Sequence, residues 1–228
     1  MEEVVCSQCQ KTPDLCVCSA VKPRKTQIHT LILRHPQDPD QELGTGLLTH
    51  LALENSTLRT GLSWPNLRAA RYGKGEGGAI LDPKRWAVLY LGSGIKGNRP
   101  DGAAIIAVDR NGKVLEGTNP MTESWQGLVV IDGTWSQAKT LWWRNPWIIK
   151  LRRLILAPRE KSLYGKYRRE PRKECLSTIE SAGLALSALE KDPKIASDLK
   201  ALLGELVGKF ETRAQIKNQA KKKPSGPN

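Results

Sequence analysis

Runs of apolar residues, broken by turn-forming ones, divide the chain into short strands and amphipathic helices. Residues 28–34, 86–91, 103–109, 128–131 and 151–157 are brief and apolar, the pattern of strands buried in a sheet. Leu43, Leu47, Leu51 and Leu58 recur near helical spacing and predict a helix over residues 42–56. Trp135, Ala138, Leu141 and Trp142 predict a second helix, which Pro146 ends. Ser177-x-x-Glu180 is a capping box that opens a third, running to about Leu189. Ile195, Leu199, Leu202, Leu203, Leu206 and Phe210 place a last helix against the domain. Residues 59–85 are rich in Gly and Arg without periodicity and read as irregular, while Asn111-Gly112 predicts a type I′ hairpin over residues 103–117. Apolar strands interleaved with helices make this an α/β fold around a parallel sheet.

The run Leu128-Val129-Val130-Ile131 stops at Asp132, where a strand buried on both faces would leave the sheet. Gly133 supplies a tight turn and Thr134 an N-cap for the helix that follows. Ligands of open α/β sheets gather outside the carboxyl ends of the strands, so Asp132 marks a candidate site. A turn aspartate that only satisfies backbone donors gives the same local sequence.

Charge narrows the partner. The chain has 228 residues and a formal net charge of +13, all of it carried by two stretches. Residues 150–173 hold net +8 and residues 209–228 net +5. Such confined excess fits a polyanion, and Tyr164 and Tyr167 among the guanidinium groups of residues 159–173 suit a bent RNA strand. Lys150, Arg152, Lys166, Tyr167, Arg168, Arg169, Arg172 and Lys173 are the candidate RNA-binding residues. No run of eighteen apolar residues and no apolar leader is present, so a cytoplasmic protein without membrane contact is expected.

Cys6-x-x-Cys9 and Cys16-x-Cys18 match a tetrahedral all-thiolate shell, and structural zinc is expected on these four. Free thiols or a redox pair are the alternative, and Cys175, far away, reads as a small buried residue. Three units follow: residues 1–25 as the cysteine segment, residues 26–212 as the main domain, and residues 213–228 as a basic disordered tail.

Asp132-Gly133-Thr134-Trp135 with Ala138, the cysteine cluster, and Leu176-Ser177-Thr178-Ile179-Glu180 after the basic loop resemble, in order, the signatures of the DTW-domain family. These are tRNA-uridine aminocarboxypropyltransferases. His35-Pro36 followed by Thr45-Gly46 resembles the family's His-Pro loop and the helix after it. Tyr90 is followed by Leu91, where the family carries a Tyr-Pro pair, and the 103–117 hairpin reads as an insertion.

The resemblance implies a parallel-sheet fold similar to the trefoil-knotted SPOUT methyltransferases. It places S-adenosylmethionine against Leu91, Gly92 and Ser93, against Ile131, Gly133, Thr134 and Trp135, and against Leu156, Leu176, Ser177 and Thr178. The implied reaction moves the 3-amino-3-carboxypropyl group to N3 of uridine at tRNA position 47, in the variable loop, and releases methylthioadenosine. Asp132 is the candidate base, with Glu180 as its rival, and a monomer is expected. Methyl transfer, a ribosomal RNA target, or a zinc-dependent RNA-binding module without catalysis are the competing readings.

Overall fold

The computed structural model describes residues 4–37, 42–73, 75, 78–90, 103–115, 119–158, 160–165, 167 and 176–222. Its strands are β1 (His29–Arg34), β2 (Ser56–Thr60), β3 (Trp86–Leu89), β4 (Ile105–Val108), β5 (Gly127–Asp132) and β6 (Arg152–Leu156). Its helices are α1 (Gly46–Ala52), α2 (Leu67–Tyr72), α3 (Trp135–Arg144), α4 (Thr178–Glu190) and α5 (Pro193–Lys222). The six strands form one sheet in the order β2-β1-β5-β3-β6-β4, parallel throughout except for β4, which runs antiparallel to β6.

β5 is central and wholly buried. Its alternate residues feed two different cores, as period-2 geometry requires. Leu128 and Val130 pack with Leu48 of α1 and with the apolar faces of α4 and α5. Val129 and Ile131 pack with Leu67 of α2 and with Ala138 and Leu141 of α3. By the same alternation Asp132, at the strand's end, falls on the α1–α4 side.

Four local expectations are corrected. The helix expected from residue 42 begins at Gly46, because Lys11 Nζ donates to the carbonyls of Glu42 and Gly44, 2.8 and 3.0 Å away, and holds that strap out of helical geometry. Residues 56–60 extend into edge strand β2 instead of continuing the helix, and within the stretch read as irregular Asn66 Oδ1 accepts from Ala69 N and caps α2. Among the described residues of the 103–117 segment only Gly112 has positive φ (81°), so the 109–112 turn is a type I turn with a left-handed glycine, not type I′. β4 pairs mainly with β6, and Val108 meets Val114 in a single bridge. The last helix runs to Lys222, through ten residues expected to be disordered, and Arg213 pairs there with Asp14 and Glu42.

At the opposite end of β1 from the strand tip, burial holds the His29 imidazole down to about 4 from its ordinary 6.5. Its Nδ1 lies 2.7 Å from Asn55 Oδ1. The unfolded chain takes up a proton below 6.5 and the folded one resists until about 4, so this contribution to stability is complete above pH 6.5 and is lost as pH falls toward 4. It amounts to about 3 kcal/mol. Urea midpoints at pH 7 and pH 4.5 check it: the drop is expected to be clearly smaller in His29→Gln than in the native chain, and an equal drop contradicts it.

Candidate active site

Asp132 is held from three directions and is only 4% exposed. Its carbonyl accepts from His35 N at 3.1 Å, which pins the loop after β1 to the strand tip. Its Oδ1 accepts from Thr178 Oγ1 at 2.5 Å, at the first residue of α4. Its third neighbour is the backbone of Gly46, the first residue of α1. A β-carbon placed on Gly46 would lie 2.0 Å from Asp132 Oδ2 and 2.4 Å from Cγ, so only glycine lets the helix come this close. The carboxylate thus sits where two helix N-termini converge, and the partial positive charge of both favours an anion there.

The turn beyond Asp132 is equally fixed. Gly133 has φ 146°, a region L side chains rarely adopt. Thr134 and Gln137 form a reciprocal capping box, and Gln137 Nε2 also donates to Gln37 O, strapping the His35 loop over the turn. His35 is buried, and its Nδ1 accepts from Gln37 N at 3.2 Å. Ala138 and Leu141 carry the buried stripe of α3, while Trp135 is half-buried at its first turn.

Glu180 has a different setting. Its carboxylate accepts from Ser177 N (2.9 Å), Ser177 Oγ (2.6 Å), Ser162 Oγ (2.7 Å) and Leu163 N (2.8 Å). It fastens the 162–163 loop to the start of α4. Tyr164, in that loop, is fully buried, and its hydroxyl donates to Leu43 O at 2.6 Å. Thr45 Oγ1 in turn accepts from Ile179 N at 3.3 Å. Three separated segments, residues 43–46, 162–164 and 177–180, therefore close on the tip of β5.

Strand register sorts the remaining candidates. Val88 stands opposite Val129 on one side and Arg153 on the other, which sets Leu156 level with Asp132 across the end of β3. Leu156 and Leu176 are half-buried and Ser177 is buried, at the same edge as the Asp132 turn; Ile131 is buried on the α3 side. Arg152 is level with Leu128, roughly 13 Å down the sheet, and Lys150 lies beyond it, so neither reaches the strand tips. Tyr167, expected to stack on RNA, has its ring edge-on to Phe210 of α5, 5.5 Å between centroids. Leu91, Gly92, Ser93, Lys166, Arg168, Arg169, Arg172, Lys173 and Cys175 lie outside the described residues. Gly46 and Lys11 had no predicted role at the site; Thr45-Gly46 gave a signal by resemblance, and Lys11 gave none.

All four sulfurs of Cys6, Cys9, Cys16 and Cys18 lie within 4.8 Å of one another. The Cys6–Cys18 and Cys9–Cys16 separations are both 3.7 Å, far longer than a disulfide. A tetrahedron of thiolates about 2.3 Å from a zinc ion has edges of about 3.8 Å, so the cluster fits such an ion. Backbone N–H groups of Cys9 and Gln8 directed at Cys6 pull its thiol down to about 6, while burial pushes Cys9 and Cys18 up. Among the described residues no helix is long and apolar enough to cross a membrane.

Fold and site together define an α/β protein whose central parallel strand ends in a buried carboxylate at the carboxyl edge of the sheet, the edge at which open α/β sheets bind ligands. The chain belongs to the DTW-domain family: the DTW domain model matches residues 3–211. It is 29% identical over 220 residues to tRNA-uridine aminocarboxypropyltransferase 2 of Drosophila melanogaster, covering 95% of this chain and 78% of that protein. It is 27% identical over 200 residues to the protein of the same name in Mus musculus, covering 85% of this chain. The matched region spans 59% of the mouse protein's own length. No solved structure matches the chain.

Proposed function

We propose that this chain is a tRNA-uridine aminocarboxypropyltransferase that uses S-adenosylmethionine and modifies N3 of uridine at position 47, in the variable loop. One observation supports this reading above the others: the Asp132 turn, the 45–46 strap and the 177–180 segment, far apart in sequence, meet at one strand tip. The names of the relatives supply the reaction class.

S-adenosylmethionine supplies an activated γ-carbon, bonded to a positively charged sulfur. The chain's part is to orient that carbon and to take a proton. Asp132, fixed through Thr178, accepts the N3 proton of uridine. The freed nitrogen lone pair forms the bond to the γ-carbon as the carbon–sulfur bond breaks. Its electrons stay on sulfur, and neutral methylthioadenosine leaves. Leu156, Leu176 and Ser177 line the nucleoside side; Leu91, Gly92 and Ser93, outside the described residues, are assigned to it by family resemblance alone. Glu180 shapes the crevice by closing the 162–163 loop rather than by moving protons. The uridine leaves its stack to reach a carboxylate this buried. The cationic stretches at residues 159–173 and 209–222 meet the tRNA phosphates. The same reading carries a knotted SPOUT-like sheet, zinc in the cysteine cluster, a monomer and a cytoplasmic setting.

The test is the by-product. Purified protein with tRNA and S-adenosylmethionine is expected to release methylthioadenosine in step with aminocarboxypropyluridine in digested tRNA. Release of S-adenosylhomocysteine instead would establish methyl transfer and overturn the proposal.

A further inference from the structure

Lys11 lies inside the cysteine knuckle, between Cys9 and Cys16, and is only 3% exposed. A buried ammonium costs several kcal/mol unless its protons are taken up. Here Nζ donates to Glu42 O at 2.8 Å and to Gly44 O at 3.0 Å. Those carbonyls belong to the strap that leads into Thr45 and Gly46, and Gly46 is the residue packed on the Asp132 carboxylate.

The knuckle is tied to the domain at further points. Arg213 of α5 pairs with Asp14 at 3.2 Å and with Glu42 at 2.8 Å, and Lys209 donates to Cys16 O at 2.5 Å. Within the knuckle, Cys6 N donates to Lys11 O and Gln10 N to Cys6 O, which closes a turn of residues 6–11 carrying Cys6, Cys9 and Lys11. Leu15 and Val17 anchor the later part of the segment in the domain core, whereas in the turn of residues 6–11 only Cys9 and Lys11 are buried, so a bound ion fixes where Lys11 stands.

We infer that Lys11 is a positioning residue through which the metal-holding knuckle sets the Gly46 wall of Asp132, so that metal occupancy governs turnover rather than RNA affinity. This deepens the reading above and rests on it for its kinetic arm only. With the ion removed, Lys11 swings to water and the 42–46 strap relaxes. Asp132 then loses the close backbone contact that confines its carboxylate. Tyr164 still holds Leu43 O from the other side, so the strap loosens without detaching.

The experiment uses the full chain loaded with zinc, the chain treated with chelator, and two substitutions. Lys11→Met keeps the length of the side chain without donors; Lys11→Arg keeps donors for both carbonyls. Hydrogen exchange followed by mass spectrometry is expected to show the amides of residues 45–50 exchanging at least tenfold faster after chelation, and equally so in zinc-loaded Lys11→Met. Lys11→Arg is expected to stay close to the native chain. In turnover assays Lys11→Met is expected to lower kcat at least tenfold with KM for tRNA within twofold. Unchanged exchange in residues 45–50 after chelation, or a raised tRNA KM with unchanged kcat, overturns the inference; the second outcome would make the knuckle an RNA surface. The exchange arm needs no product, so it stands even where the assigned reaction fails, and the chelation arm stands even where Lys11→Met does not fold.

Discussion

Asp132→Asn is expected to lower kcat by about a thousandfold while leaving KM for tRNA and for S-adenosylmethionine within a few-fold. The amide keeps an acceptor oxygen for Thr178 Oγ1, which lies 2.5 Å from the native Oδ1, so the geometry survives. What it loses is the capacity to take a proton. Removing an anion from between two helix N-termini costs about 1 kcal/mol, enough to lower the melting point by a few degrees but not to unfold the chain. Glu180→Gln provides the contrast. It turns an amide toward an arrangement of donors, at Ser162, Leu163 and Ser177, and leaves at least one of them unmet. Its expected effect is a loss of about 2 kcal/mol in urea unfolding with a smaller fall in kcat. If Glu180→Gln loses a thousandfold in kcat and Asp132→Asn does not, their roles are reversed.

The second large effect is expected at a residue with no side chain. Gly46→Ala sets two forces against each other, and their sizes decide the sign. Alanine in place of glycine favours a helix by about 1 kcal/mol. Its β-carbon, however, would stand 2.0 Å from Asp132 Oδ2, well inside contact distance. Either α1 moves away from β5 or the carboxylate turns off Thr178, at a cost of about 1–3 kcal/mol for overpacking. The clash wins. Net destabilisation of about 1 kcal/mol is expected, with a fall in kcat of at least a hundredfold. Circular dichroism melts and initial rates measure the two together, and a stabilised, active Gly46→Ala would refute the close approach.

Much of this architecture is legible locally, where a segment's own residues decide its structure. The apolar run 128–131 needs no partner to read as a buried strand, and Ser177 with Glu180 announces the start of α4. α1 and β2 are not legible in that way. The leucines at 43, 47 and 51 keep helical spacing, but a lysine thirty-one residues upstream of Glu42 takes the strap's carbonyls and delays the helix. Ser56–Thr60, only partly buried at the sheet edge, has too little apolar contrast to signal a strand. At the site the acid is legible from its own strand, whereas Thr178 and Gly46 are reached only through the family resemblance. Asp132 stands at the end of an apolar run, whereas the meeting of Gly46, Thr178 and Tyr164 depends on how the helices pack. Tyr167, an aromatic among cations, reads as a base-stacking group from the sequence, while its edge-on contact with Phe210 depends on where α5 packs.

In the proposed function the carboxylate at the tip of β5 takes the uridine proton during transfer in tRNA. Mass spectrometry of nucleosides from tRNA tests it most directly, in cells lacking this gene and complemented with either the native chain or Asp132→Asn. Aminocarboxypropyluridine at position 47 is expected to be lost in the deletion, restored by the native chain, and absent with Asp132→Asn. Full restoration by Asp132→Asn would contradict the account.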